Sequence, residues 1–294
     1  MTIENLEDWK KAGQIAAKAR EYGRKLIKPG VKLLDVAEQI EQKIQDLGGF
    51  PAFPVNIGMN DIAAHYTPAR NEETVFSDQL VKLDVGAHVN GAIGDTACTV
   101  DLSGKYDDLV KASEEALDAA IKIVKEGTTL GEIGATIQNA IKAKGFLPIS
   151  NLSGHGLELY ETHVYPTIPN IDTGDDTELC EDDIIAIEPF ATNGQGAIKE
   201  SHHAEIFAII NERNVRSSYA RDVLREALVF EGMPFAKRWI KAKGVELGMR
   251  ELVRNKIAKE YPPLPEMGGG MISQTEHSLI VRKKDCLVLT KLKE

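Results

Sequence analysis

The sequence lacks a hydrophobic run long enough to cross a membrane. Nothing in its 294 residues approaches the roughly 18 consecutive apolar residues that a spanning helix needs. The beginning of the chain carries Glu4, Glu7 and Asp8 in place of a basic segment followed by an apolar one, so no secretory signal is predicted. We therefore expect a cytoplasmic protein that does not associate with membranes.

Cysteine is scarce, and its spacing excludes a site built on thiolates. The three cysteines, Cys98, Cys180 and Cys286, are odd in number and far apart, without the CxxC spacing of zinc and redox sites. They are predicted to be small core or surface residues. A metal bound by this chain must therefore be held by oxygen and imidazole groups.

Positive charge is also in short supply. The formal net charge is −10 at pH 7, whereas nucleic-acid binding depends mainly on lysine and arginine meeting phosphates, so DNA is not an expected partner. Hydrophobic residues make up 43% of the chain and charged residues 27%, without low-complexity tracts, which is typical of a globular protein. The length fits one large domain with an insertion better than two ordinary domains.

Two segments of the chain resemble each other. Residues 28–48 (KPGVKLLDVAEQIEQKIQDLG) align without a gap with residues 125–145 (KEGTTLGEIGATIQNAIKAKG). In both, apolar positions recur at helical spacing and a glycine ends the pattern, which predicts a turn followed by an amphipathic helix. Each copy follows another predicted helix, Leu6 to Ile27 or Leu109 to Val124. We infer two similar half-domains; the alternative is chance similarity between two amphipathic helices.

Segments rich in β-branched residues and bounded by turn signals predict the strands. They are Gln79 to Ala87, Ala92 to Val100, Ile184 to Phe190, Ala204 to Ile210 and Ile272 to Val281. Between the last two the pattern becomes helical, with Ser217 or Ser218 as a candidate cap and Pro234 as a candidate helix start. The predicted fold class is α+β, with a main domain at residues 1–210 and 263–294 and an all-helical insertion at residues 211–262.

The segment around Asn90-Gly91 predicts a β-hairpin that carries two aspartates. This dipeptide is the preferred pair for a two-residue type I′ turn, and the turn places Gly86 opposite Asp95. Because side chains alternate faces along a strand, Asp84 and Asp95 share a face as diagonal neighbours. Two carboxylates among apolar residues repel each other unless a cation lies between them. The alternative is a solvated sheet face.

Three further ionisable residues stand in apolar surroundings. His155 lies between two glycines, Glu188 ends an apolar strand and Glu276 lies inside another predicted strand. Taken singly, each could equally cap a turn or pair with a lysine or arginine. Their order and setting together favour a metal site.

These five residues and their flanking motifs resemble the metal-ligand pattern of methionine aminopeptidases. The motifs are AAHYTP, LDVGAHVNGAIGDTA, SGHGLELYETH, AIEPFAT and TEHSLIV, and the resemblance runs from about residue 5 to the C-terminus. It implies the pita-bread fold, in which two pseudo-symmetric α/β halves hold two metal ions. The long segment between Glu188 and Glu276 and the lack of a charged N-terminal extension favour the short, archaeal form of the type 2 branch.

The resemblance assigns a role to each of these residues. It implies that Asp84 binds one metal and that His155 and Glu188 bind the other, while Asp95 and Glu276 bridge the pair. A hydroxide held between the metals would attack the peptide bond, and Glu188 would carry a proton to the leaving amine. One imidazole and four carboxylates suit Co, Mn or Fe, and Zn is also compatible.

The resemblance also implies a substrate pocket. His65 and His163 match two pocket histidines of the family, which hydrogen-bond the substrate and the tetrahedral intermediate; each could instead be a packed core histidine. Phe53 and Tyr261 match positions that hold the methionine side chain, although both could be ordinary core residues. Thr162 replaces a bulkier aliphatic residue common in relatives, which leaves the shape of the pocket open.

The implied activity is hydrolysis of the N-terminal methionine from peptides and nascent proteins with a small second residue. The implied partners are methionyl peptides, nascent chains and, transiently, the ribosome, and a monomer is expected. Two alternatives remain from the residues alone. One is an X-Pro aminopeptidase or prolidase with the same ligands, and the other is a non-catalytic relative that binds RNA or ribosomes. Retention of all five ligands and the acidic composition disfavour the second.

Overall fold

A computed structural model describes residues 5–292 of the chain. Within this part the α-helices are α1 (Leu6–Leu26), α2 (Leu33–Asp46), α3 (Asp107–Ile123), α4 (Leu130–Ala143), α5 (Ser218–Ala227) and α6 (Val245–Arg254). The first four match the helices predicted from the duplicated segments and the segments before them. None of the described helices is long and apolar enough to cross a membrane.

The first half of the chain forms an antiparallel sheet around the predicted hairpin. Its strands are β1 (Phe50–Pro51), β2 (Asn56–Met59), β3 (Leu80–Val89) and β4 (Ala92–Asp101). Asn90 and Gly91 have φ angles of 51° and 86°, as a type I′ turn requires. The predicted register is confirmed, because Gly86 pairs with Asp95.

Helices α1 and α2 cover one face of this sheet. The core that they form with β3 includes Leu83 and Val85, so the alternate residue Asp84 points to the opposite face. Helix α1 approaches β4 closely, since a Cβ on Gly94 would stand 2.5 Å from the Cα of Gly13. Because the helices cover the other face, the aspartate-bearing face of the hairpin is free to contact the second half of the chain.

The second half builds a similar layer of strands and helices. The remaining strands are β5 (Leu147–Pro148), β6 (Ser153–Glu158), β7 (Glu161–Pro169), β8 (Ile184–Ile187), β9 (Phe190–Thr192), β10 (Ile206–Ile209), β11 (Phe235–Ala236), β12 (Ala258–Tyr261), β13 (Ile272–Gln274), β14 (His277–Val281) and β15 (Cys286–Val288). They form sheets in the orders β15-β14-β8-β6-β7, β13-β9-β5 and β11-β10-β12. Helices α3 and α4 share a core with β8 and β14, so each half places a helix pair against strands.

Residues 211–262 pack around a third core, but this segment is not all-helical. Helices α5 and α6 share the core with β10, whose two edges pair with β11 and β12. The prediction that the insertion holds only helices is therefore corrected, and Pro234 precedes a strand instead of starting a helix. The physical reason is that β10 exposes unpaired backbone on both edges, which aromatic strand formers such as Phe235 and Tyr261 then cover.

The predicted start of the insertion at residue 211 falls directly after a strand that belongs to its own sheet. Strand β10 lies before residue 211, yet its sheet partners lie inside the insertion. Ser217 caps α5 as predicted, accepting a hydrogen bond from the Ala220 N–H at 3.3 Å. Residues 1–4 and 293–294 of the predicted main domain lie outside the described residues.

Candidate metal centre

Two buried strands break where each carries a glutamate. The sequence predicted two continuous strands here, but β8 ends before Glu188 and β14 begins after Glu276. The two breaks lie opposite each other, since β8 pairs with β14 on one side and β9 pairs with β13 on the other. Pro189, which has no backbone N–H to donate to a sheet, follows directly after Glu188. Both glutamates therefore leave the sheet at the same place.

Backbone pairing with β4 brings Asp95 to these glutamates. Ala97 and Glu276 exchange backbone N–H···O bonds of 3.1 and 3.4 Å. The Thr96 hydroxyl donates to the Glu276 carbonyl at 2.8 Å, and the Asp95 N–H donates to Ser278 Oγ at 3.1 Å. The aspartate-bearing hairpin of the first half is thus joined directly to the broken strands of the second.

The five predicted ligands meet in one cavity, which we call the inner cavity. One ligand atom each of Asp95, His155 and Glu276 lies within 4.8 Å of the other two. His155 Nε2 lies 3.8 Å from Asp95 Oδ2 and 3.8 Å from Glu188 Oε1. Asp84 and Glu188 line the same cavity, whose volume is about 240 Å³. Residues from both halves of the chain thus converge on a single point.

The inner cavity holds four carboxylates, and no lysine or arginine among the described residues lines it. Burial raises the pKa of Asp84 to about 7. Burial first and the neighbouring carboxylates second raise the pKa values of Asp95, Glu188 and Glu276 well above their usual range. Burial also lowers the pKa of His155, which keeps its imidazole neutral and able to bind a metal. The four carboxylates therefore repel one another when they carry negative charge.

Unsatisfied oxygens in the inner cavity fit a divalent metal. Asp84 Oδ1, Asp95 Oδ1 and Glu276 Oε2 are buried and have no hydrogen-bond partner among the described residues. A buried anion without a partner is strongly unfavourable, and a cation removes the penalty. Carboxylate and neutral imidazole donors, without thiolate, suit ions such as Mn, Fe, Co and Zn.

Two neutral histidines line the inner cavity together with the acids. The ring centroid of His163 lies 4.1 Å from that of His155, and the ring of His65 meets Tyr261 edge-on at 5.6 Å. Burial away from water lowers the pKa of both His65 and His163 to about 4. The neighbouring His163 lowers the pKa of His65 further, and Lys259 does the same for His163. At pH 7 each imidazole is therefore neutral and offers one N–H donor.

The predicted substrate-binding residues divide between two spaces. Phe53 and Tyr261 line the inner cavity, next to the acids. Thr162 does not line it; this buried side chain borders a neighbouring outer space, and its hydroxyl lies 3.1 Å from His163 Nδ1. That contact suits a role in orienting the imidazole.

Sequence reasoning missed two amides beside the acids. Gln274 Nε2 donates to Glu188 Oε2 at 3.3 Å, and its hydrogen bond to Asp84 opposes the rise in the pKa of that carboxyl. Asn56 lines the inner cavity and pairs with Asp84 across β2 and β3. Gln274 carried a usable signal, since it is a polar residue inside an apolar predicted strand. Asn56 carried none, because its place depends on how β2 docks.

The sequence matches the model of Metallopeptidase family M24 over residues 7–215. It is 45% identical over 296 residues to the methionine aminopeptidase of Methanocaldococcus jannaschii, covering 99% of this chain and 100% of that protein. A solved methionine aminopeptidase from Thermotoga maritima aligns with a TM-score of 0.73 and 24% identity, over 99% of this chain and 100% of that one. A thermophilic Arx1 aligns with a TM-score of 0.86 and 17% identity, over 100% and 92%. The fold is thus the pita-bread fold that the sequence predicted.

Proposed function

The chain belongs to metallopeptidase family M24, and we propose that it releases the N-terminal methionine from peptides and nascent proteins. The observation that carries the proposal is the convergence of four carboxylates and one neutral imidazole on a small cavity that is also lined by Phe53 and Tyr261. Such a cavity combines a divalent metal site with an apolar wall for one side chain. The archaeal relative, itself a methionine aminopeptidase, supports methionine as that side chain.

We propose that the ligands hold two divalent ions. Asp84 would hold one ion, His155 and Glu188 would hold the other, and Asp95 and Glu276 would serve both. The contact of His155 with both Asp95 and Glu188, at 3.8 Å each, supports this grouping. When bound, the ions polarise the scissile carbonyl and lower the pKa of a water molecule. The oxygen and imidazole donors favour Co, Mn or Fe, and Zn is also compatible.

The side chains around the metals then have separate tasks. Glu188 accepts a proton from the attacking water and returns it to the leaving amine. His65 and His163, held neutral by their low pKa, donate hydrogen bonds to the carbonyl oxygen of the substrate as negative charge develops there. Phe53 and Tyr261 contact the methionine side chain.

We propose that residues 211–262 act as an insertion that completes the pocket. Pro234 and Tyr261, which belong to this segment, line the inner cavity opposite residues of the main domain. We propose a preference for a small second residue in the substrate, as the resemblance to methionine aminopeptidases implies. Because its substrates are nascent chains, we place the enzyme in the cytoplasm, as a monomer with transient ribosome contact.

The proposed function is tested by measuring free methionine released from the tripeptide Met-Ala-Ser. Chelator-stripped protein should be inactive, and addition of Mn, Co, Fe or Zn should restore release. An X-Pro peptide serves as the control for the prolidase alternative and should not be cleaved. Elemental analysis of the reloaded protein should give two metals per chain.

Three outcomes contradict parts of the proposal. Comparable cleavage of the X-Pro peptide would favour a prolidase, and failure to cleave either peptide with two metals bound would point to a different substrate. Absence of metal binding would remove the proposed site altogether and favour the non-catalytic alternative.

A further inference from the structure

An outer cleft opens from the inner cavity. Its volume is about 840 Å³, and it shares His65, His163 and Tyr261 with the inner cavity. The two spaces therefore adjoin each other at the pair of neutral imidazoles. A peptide whose first residue occupies the inner cavity has its following residues in the outer cleft.

The wall of the outer cleft carries an excess of negative charge. Glu161, Glu200, Glu231 and Glu260 line it, together with a single basic residue, Lys259. All four glutamates are exposed, and their side chains make no hydrogen bond or ion pair with another residue of the described chain. Their charges are therefore available to a ligand.

Another space, which we call the far cavity, adjoins the outer cleft. Its volume is about 680 Å³, and Tyr160 and Glu231 border both spaces. Its wall adds Glu38 and Trp239, and no lysine or arginine among the described residues lines it. Aromatic rings beside carboxylates suit lysine and arginine, whose stems lie on apolar surface while their charged ends meet the anions.

We propose that the outer cleft and the far cavity form an extended groove for the substrate chain, which selects lysine and arginine a few residues beyond the cleaved bond. The proposal rests on the proposed function, because the occupant is the peptide that follows the methionine. The lining residues shared with the inner cavity and the unpaired glutamates identify that occupant. The test varies the fourth residue and those after it, so that the cleaved bond and its neighbours stay constant.

The test compares peptides that differ only after the third residue. Met-Ala-Ser followed by Lys-Lys-Ser, Gln-Gln-Ser or Glu-Glu-Ser keeps the cleaved bond and its neighbours constant. We expect kcat/KM to fall in that order, by about tenfold from the lysine to the glutamate peptide at low ionic strength and by much less in high salt. The difference should lie mainly in KM, because the groove acts on binding away from the reacting bond.

Paired variants locate the effect in the groove. Glu161→Gln combined with Glu231→Gln should reduce the preference to about threefold or less. The matched control combines Glu178→Gln with Glu212→Gln, which removes two exposed charges that border none of these spaces. The control should keep the full preference, and thermal unfolding establishes that both double variants are folded.

Cleavage of Met-Ala-Ser itself reports on the proposed function separately. If the wild type cleaves that tripeptide but cleaves the lysine and glutamate peptides with equal kcat/KM, the proposal of a selective groove is overturned and the proposed function stands. The proposal is also overturned if both double variants retain the preference for the lysine peptide equally. Loss of the preference in the groove variant alone supports it.

Discussion

At the scale of single residues, Asp95 is the point on which the proposed site depends. It is 3% exposed, and its backbone N–H donates a hydrogen bond to the side chain of Ser278, in the strand that follows Glu276. Asp95→Asn keeps the size of the side chain but removes the negative charge that a bridging ligand supplies. We expect loss of at least one metal and a fall in turnover of more than about a hundredfold, with the fold retained.

Elemental analysis and the Met-Ala-Ser assay measure both effects of Asp95→Asn, and circular dichroism checks the fold. Asp118→Asn is the matched control, because Asp118 is exposed on α3 and borders none of the cavities described. Full metal content with near-normal turnover in Asp95→Asn would refute the bridging role.

His65 gives the protein a predictable sensitivity to acid. Its pKa is about 4 in the folded chain because of lost water contact, against about 6.5 when unfolded. Between these values the unfolded chain binds a proton that the folded chain does not, so the free energy of unfolding decreases as pH falls from about 6.5 to 4. His65→Asn should remove up to about 2 kcal/mol of this decrease.

Chemical denaturation of metal-free protein at pH 7 and pH 4.5 measures the His65 contribution. His203→Asn, which makes the same substitution at an exposed position, is the control. A dependence in His65→Asn equal to that of the wild type would mean that His65 is well hydrated in the folded protein.

Individual residues could be predicted from the sequence where local geometry determines their position. The Asn90-Gly91 turn determines which residues pair, so the sequence alone was enough to place Asp84 and Asp95 on one face of the hairpin. Gln274 and Asn56 could not be placed, because their contacts with the acids depend on how separate strands dock. The position of Thr162 could not be predicted either, because its side chain borders the outer cleft and not the inner cavity.

At the scale of elements, the main difference from prediction is the break in two strands. Residue propensities favour continuous strands through Glu188 and Glu276, and nothing local in the second of them signals a break. The structure interrupts both strands because buried carboxylates must turn away from the sheet to reach the same cavity. The requirement arises from tertiary structure, so it lies beyond what periodicity can predict.

The two duplicated helices differ at their beginnings, which provides a test of helix capping. In α4, Thr129 Oγ1 accepts from the Glu132 N–H at 3.2 Å, and the Glu132 carboxylate accepts from the Thr129 N–H at 2.8 Å. Helix α2 has Lys32 at the equivalent position, without a side-chain cap. Thr129→Ala should therefore lower the free energy of unfolding by about 1 kcal/mol.

The control for Thr129→Ala is Thr136→Ala, in the middle of the same helix. The Thr136 hydroxyl bonds only to the Glu132 carbonyl one turn earlier, and alanine has the higher helix propensity. Urea denaturation should show a smaller loss, or a gain, in the control. Equal losses in both variants would mean that the cap contributes nothing specific.

At the scale of the whole molecule, the acidic cavity predicts that metal and stability are linked. Without a cation the two halves of the chain present four carboxylates to one another. A metal that binds only the folded protein adds about 2.7 kcal/mol when its concentration is a hundred times Kd. We expect the melting temperature at pH 7 to rise by about 5 °C or more on adding metal to the stripped protein.

Differential scanning calorimetry measures this shift, and Asp95→Asn should show much less of it. Identical melting temperatures with and without metal would contradict the stabilising role.

The two-half architecture on which the effect depends could be predicted from the duplicated segments. The mixed content of residues 211–262 could not, since β11 and β12 are short and form only as partners of β10.

The candidate ligands are spread from position 84 to position 276, and the last one is held by backbone bonds to β4. A ribosome releases a protein N-terminal part first, and early segments begin to fold while later ones are still being made. The first hairpin can therefore form long before Glu276 exists. Each new copy stays inactive throughout most of its own synthesis, so any processing of chains during translation depends on copies that were finished earlier.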